Sequence, residues 1–207
     1  MRLIAKIAAA ALVAAAASPA CATDFVGGYT ITALNDSDPG LVLNTAPINT
    51  SFSFSLNNAG DTASANLFDL FTNETTVNKD DKAIAPISVA FNFTLPSDIS
   101  GTVNGSTQGQ SILFGLVQDG HVTWNGPTTI DFGNGGVLQV SLNNATFNKG
   151  LFGLRPGENA GADITANFTL VNPSAVPEPA TWAVMLAGFG GLGVAMRRSR
   201  RKLAATA

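Results

Sequence analysis

Cysteine is nearly absent from this 207-residue chain: Cys21 is the only one. A single thiol cannot close a disulfide within the chain, and four-thiolate or zinc-finger spacings are excluded outright. Histidine is equally scarce, with His121 alone. A histidine-rich metal centre is therefore impossible, and a histidine-based catalytic triad has one candidate base. Charge is sparse too, at 12% Asp, Glu, Lys and Arg, against an ordinary share of about 25%. Basic residues are scarcest in the middle. Between Thr23 and Ala175 only Lys79, Lys82, Lys149 and Arg155 face thirteen acidic residues, a net charge of −9. Such a body repels phosphate backbones, so nucleic acid is excluded as an expected partner.

What the chain does have is organised into three parts. Arg2 and Lys6 precede an apolar run from Ile7 to Ala17, followed by "SPACAT" with small residues at Ala20 and Ala22. This is the pattern of a secretory signal helix, residues 1–22, cleaved after Ala22. The run is too short to span a bilayer, which takes about 20 residues. A rival reading makes Cys21 a lipid-modified first residue, but Ser18, Pro19 and Ala20 lack the large aliphatic residue such sites usually carry.

The body, residues 23–175, alternates with period two. Phe52, Phe54 and Leu56 oppose Ser51, Ser53 and Ser55; Val89, Phe91, Phe93 and Leu95 oppose Ser88, Ala90, Asn92 and Thr94; Ile164, Ala166, Phe168 and Leu170 follow the same scheme. Alternation of this kind marks half-buried strands. Turn signals at "NDSDPG", "NNAGD", "QDG", "NGP" and "GNGG" separate them. The expected fold class is mainly β, an antiparallel β-sandwich, in which only Ala65–Phe71 suggests a helical turn. "SLNNA", "LFxL" and "NFTL" each occur twice in the same order, at 55, 67 and 92 and again at 141, 151 and 167. The two halves are either duplicated or coincidentally alike.

The body's chemistry is thin. Asp119, His121 and Trp124 in "QDGHVTWNG" form a possible ligand loop, in which Trp124 stacks on a sugar while His121 or Asp119 bonds its hydroxyls. The alternative is a hairpin with Trp124 in the core. "NDSDPG" holds Asp36 and Asp38 ahead of Gly40, a fragment of a calcium loop without its downstream bidentate acid, and it reads as a plain turn. No metal site, cofactor or catalytic residue is expected. Paired carboxylates could run glycoside hydrolysis, yet no spacing brings a particular pair together.

The third part, 176–202, is the most specific. Pro177 and Pro179 hold the backbone extended and remove two donors. An apolar stretch, 180–196, is about 25 Å long as a helix, within the accepted range for a single transmembrane span. Trp182 falls at its outer boundary. Arg197, Arg198, Arg200, Arg201 and Lys202 form a basic stop that stays in the cytoplasm. "VPEPATWA", a short Gly-rich helix and "RRSRR" together resemble the PEP-CTERM sorting tail in its PEPxxWA form, matched at Pro177, Glu178, Pro179, Trp182 and Ala183.

That resemblance implies recognition by a membrane-embedded exosortase after export by the secretion machinery. A transient stay in the inner membrane follows, with a cut near the Pro-Glu-Pro and delivery to the cell surface or extracellular matrix. Exopolysaccharide is the expected partner there. The expected role is non-enzymatic: structural, adhesive or polysaccharide-associated. The alternatives are a secreted carbohydrate-active enzyme and, on the strength of Thr-rich faces, an ice-binding protein.

Overall fold

Alternating phenylalanines decide the architecture, because each puts a large ring on one side of a strand and a small polar group on the other. The structure, a computed structural model, describes residues 22–175 and 186–190. The body contains β1 (Thr23–Ala33), β2 (Asn44–Pro47), β3 (Ser51–Leu56), β4 (Thr62–Phe71), β5 (Ala85–Leu95) and β6 (Ile99–Ile112). After these come β7 (Val117–Trp124), β8 (Thr128–Gly133), β9 (Gly136–Leu142), β10 (Ala145–Leu151) and β11 (Ala162–Asn172). All pairings are antiparallel, in two sheets ordered β10-β7-β6-β5-β1-β3 and β2-β4-β11-β9-β8.

Their apolar faces meet. Phe168 of the second sheet stacks on Phe54 at 4.6 Å between ring centroids and meets Phe52, Phe91 and Phe93 of the first. Phe132 meets Phe25 edge-on at 5.2 Å. Tyr29 bridges the two layers by donating its hydroxyl to the Leu67 carbonyl at 2.7 Å. Ile87, Val89 and Phe91 of β5 and Ile164, Ala166, Phe168 and Leu170 of β11 are fully buried, as their alternation predicts.

Several sequence expectations are corrected. Ala65–Phe71 is strand, not a helical turn: it lies in β4, where a register shift against β11 brings the consecutive residues Leu67 and Phe68 both inward. That break in alternation is what imitated a helical pattern. Leu95 is exposed: it pairs with Val26 of β1 beyond the register shift at Val26/Gly27, which breaks the alternation carried by Phe91 and Phe93. "QDG" is no turn. It lies inside β7, and Gly120 is there because Phe147 of β10 covers it; a Cβ would come within 2.3 Å of that ring. "GNGG" does turn, joining β8 to β9 with Asn134 and Gly135 both at positive φ, as a tight hairpin requires.

The repeated words do not form a repeated topology. Both "SLNNA" copies end a strand and both "NFTL" copies bury their Phe. Yet β3 and β5 flank β1, whereas β9 and β11 are direct neighbours. The N-terminal signal helix lies outside the described residues. So does the expected transmembrane helix 180–196, except for 186–190, which are helical. Among the described residues no helix is long and apolar enough to cross a membrane.

Candidate functional site

The loop after β1 (residues 34–43) and the loop after β4 (residues 72–84) meet at one edge of the body, and their meeting is built from backbone hydrogen bonds to side chains. Thr72 Oγ1 donates to the Val42 carbonyl at 2.6 Å and accepts from the Glu74 N–H at 3.1 Å. Glu74 in turn accepts from the Val42 N–H at 2.7 Å. Asn78 caps its own turn, accepting from the Asp80 and Asp81 N–H groups, while its N–H donates to Asp81 Oδ2 at 2.7 Å. Gly109 of β6 completes the seat. Its N–H donates to the Asp81 carbonyl at 2.7 Å, and a Cβ there would press on Val77 and Asp81 at 3.0–3.3 Å. A small residue on β6 is thus what lets Asp81 sit at full burial.

The result is a cleft of ≈ 480 Å³ lined by Asp38, Val42, Glu74, Asn78 and neighbouring Asn and Thr residues. Carboxylate oxygens of Asp38, Glu74 and Asp81 lie within 4.8 Å of one another, an arrangement able to hold a metal ion. Burial is the first cause pushing the Glu74 carboxyl above its ordinary range, and the charges of Asp81 and Asp38 add to it against the Val42 N–H. The reading of "NDSDPG" as a plain turn missed this grouping. Asp38 does find acids, but from another loop instead of from the next few residues. No signal along the chain joins the three: "NKDDK" marks only the turn in which Asp81 follows Asn78 by three.

The expected ligand loop is a correction. Asp119, His121 and Trp124 lie within β7, not on a loop. Trp124 is 6% exposed, packs over Gly105 and donates Nε1–H to the Asn143 carbonyl at 3.0 Å, so its ring faces the core and is unavailable for a sugar. Asp119 is 4% exposed. His121 Nε2 lies 2.8 Å from Asp119 Oδ1, and its Nδ1 lies 3.2 Å from Oγ1 of Thr146, its cross-strand partner. An Nε2–H tautomer satisfies all three groups.

A second carboxyl pair stands on the outer strand positions, Asp69 of β4 opposite Asp163 of β11. Asp69 is pushed up to about 6, first by the hydrogen bond its carboxyl shares with Asp163, then by burial and the charges of Asp163 and Glu158. The folded chain therefore keeps a proton that the unfolded chain has released. Stability from this pair is complete below the ordinary carboxylate pKa and is lost as pH rises through about 6. Asp69→Asn, which keeps a donor at every pH, is expected to flatten this part of the profile between about pH 4 and pH 7. Urea midpoints at both ends of that window are the check, and parallel shifts in both proteins would refute the assignment.

A family model for the PEP-CTERM protein-sorting motif matches residues 175–201. The chain carries a PEP-CTERM sorting motif. No curated protein and no solved structure matches the chain. The PEP-CTERM match takes in Pro177, Glu178, Pro179, Trp182, Ala183, Arg197, Arg198, Arg200 and Arg201, and stops one residue short of Lys202. It implies recognition by an exosortase, with export and membrane-associated sorting. All these residues, and Ala20 at the other end, lie outside the described residues. The body's own limits are described. Ala22 is exposed directly before β1, and the Ala175 N–H donates to the Asn134 carbonyl at 3.0 Å, tying the end of the body to the β8–β9 turn.

Proposed function

We propose that this chain is an exported bacterial surface or extracellular-matrix protein, whose β-sandwich body is delivered by an exosortase and serves a structural or adhesive, polysaccharide-associated role without catalysis. The match to the sorting motif carries the reading. The body supports it. Cleavage after Ala22 would leave β1 whole, and a cut near Pro177–Pro179 would fall beyond Ala175, whose N–H makes the last bond tying the body together among the described residues.

One face favours adhesion. Phe114 at the β6–β7 tip and Phe152 beyond β10 are exposed, with Leu113, Leu116 and Leu151 beside them in the chain. The Phe152 N–H donates to the Leu116 carbonyl at 2.7 Å, which holds the two tips together. Lys149 and Arg155, half of the body's basic residues, line a cleft with Leu151. Exposed aromatic faces beside cations suit the C–H faces and acidic groups of an exopolysaccharide. This tip replaces Trp124 as the aromatic surface of the reading.

The test is fractionation in the native host with intact masses. The wild type is expected to start at Thr23, end near Pro177–Pro179 and partition with the matrix. A chain with Pro177, Glu178 and Pro179 replaced by alanine is expected to stay in the membrane fraction through Ala207. Phe114→Ser with Phe152→Ser is expected to be processed normally yet to leave the matrix fraction. Normal release of the tail variant would sink the sorting reading; matrix retention of the double variant would sink the adhesive one. A carbohydrate-active enzyme is the second reading, favoured by Glu74 and Asp38 sharing a cleft. Turnover of a polysaccharide that Glu74→Gln abolishes, with the fold intact, would establish it instead.

A further inference from the structure

We infer that the cleft between the loop after β1 and the loop after β4 is a calcium site, with Asp38, Glu74 and Asp81 as its protein carboxylates. The inference rests on the body's geometry and not on how the chain is sorted. Three acidic side chains contribute oxygens that all lie within 4.8 Å of one another, in order of burial exposed, half-buried and buried. Among the described residues the only ion pair is that of His121 with Asp119, so no lysine or arginine there neutralises the three.

The independent observation is Asp81. It is 0% exposed; its Oδ2 accepts from the Asn78 N–H, but its Oδ1 is buried with no hydrogen-bond partner. A buried carboxylate oxygen left without a partner is heavily penalised unless a positive charge or a proton meets it. It is the one such side-chain atom among the described residues, and it belongs to the residue that the other two carboxylates approach.

The donor set selects the ion. It contains oxygen only, without histidine or cysteine, which favours hard cations over zinc or copper. Calcium takes its oxygens at 2.3–2.6 Å, so one ion can join oxygens up to roughly 5 Å apart, whereas magnesium reaches only about 4.2 Å across its octahedron. The carboxylate oxygens here all lie within 4.8 Å of one another, inside calcium's reach, and three carboxylates exceed the one or two by which magnesium is usually held. The cleft is open to solvent on the Asp38 side, where water can fill the remaining positions. Affinity in the range of extracellular modules, a Kd of about 10⁻⁴–10⁻³ M, is expected.

The experiment is equilibrium dialysis of the full chain, in detergent and stripped with chelator, against radioactive calcium, with a thermal melt at each calcium concentration. One saturable equivalent per chain, and a melting temperature that rises with calcium, is the expected result. Asp38→Asn is on an exposed residue and should fold normally; it and Glu74→Gln are expected to weaken binding at least about tenfold, as loss of one charged ligand should. Asp36→Asn, in the same loop but outside the group, is expected to leave affinity unchanged. The inference is overturned by no saturable binding, which would mean a proton shared between carboxyls in place of an ion. Equal loss in Asp36→Asn, or magnesium bound as tightly as calcium, would overturn it as well.

Discussion

Phe168→Ala is expected to destabilise the body by about 3–5 kcal/mol, the ordinary range for removing a buried phenylalanine. Phe168 is fully buried, and its ring meets those of Phe52, Phe54, Phe91 and Phe93 at 4.6–6.1 Å. These four belong to β3 and β5 of the opposite sheet, so one truncation removes contacts that join the two layers rather than contacts within one. The cavity cannot close by moving a single side chain, because the surrounding rings are held by two different strands. A domain of this size is stable by about 5–15 kcal/mol, so the variant stands near its limit. Urea unfolding is the check: the midpoint should fall steeply with the slope unchanged. Phe168→Leu should recover much of the loss, since it retains most of the volume. A shift below about 1 kcal/mol for the alanine variant would mean that the sheets are joined elsewhere.

Asn148→Ala is the second large effect, expected at about 3 kcal/mol from unsatisfied buried groups. Asn148 is fully buried and adopts positive φ, a conformation asparagine accepts more readily than alanine. Its Oδ1 accepts from the Thr72 N–H at 2.8 Å, and its Nδ2 donates to the carbonyls of Arg155 and Gly157. One side chain thus ties β10, the segment leading to β11 and the start of the loop that carries Glu74. Alanine would leave one donor and two acceptors without their partner, and the donor, the Thr72 N–H, is fully buried. Hydrogen exchange at the Thr72 amide gives the local readout: protected in the wild type, exchanging rapidly in the variant. Asn148→Asp separates the contributions, because it keeps the acceptor for Thr72 while turning an oxygen toward the two carbonyls. If Asn148→Ala leaves Thr72 protected, the network is not what holds this loop.

Much of the fold was legible because apolar alternation is a local signal. The strands around Phe52, Phe91 and Phe168 could be assigned, and their inward faces with them, from side chains two residues apart. β6 was not legible, although it is the longest strand at 14 residues. Its inward positions include Gly105, Thr107 and Gly109, which have no apolar bulk to count; Trp124 and the Asp81 loop supply the bulk from elsewhere. Gly120 misled for the same reason, since a glycine that makes room for Phe147 looks like a glycine that turns the chain.

The candidate site divides along the same line. The sorting motif is contiguous and is read as an extended stretch followed by an apolar segment and a basic stop, so its residue types and order alone determined it. Trp124 could be named from sequence but not placed, because whether an aromatic ring faces core or solvent depends on what the opposite strand puts beneath it. The carboxylate cleft was decided by tertiary structure alone. Asp38 comes from one loop and Glu74 and Asp81 from another, and only the pairing of β1 with β5 and of β2 with β4 brings those loops together. Charges separated in the chain interact through space, and no pattern along the sequence records a distance that folding has yet to set.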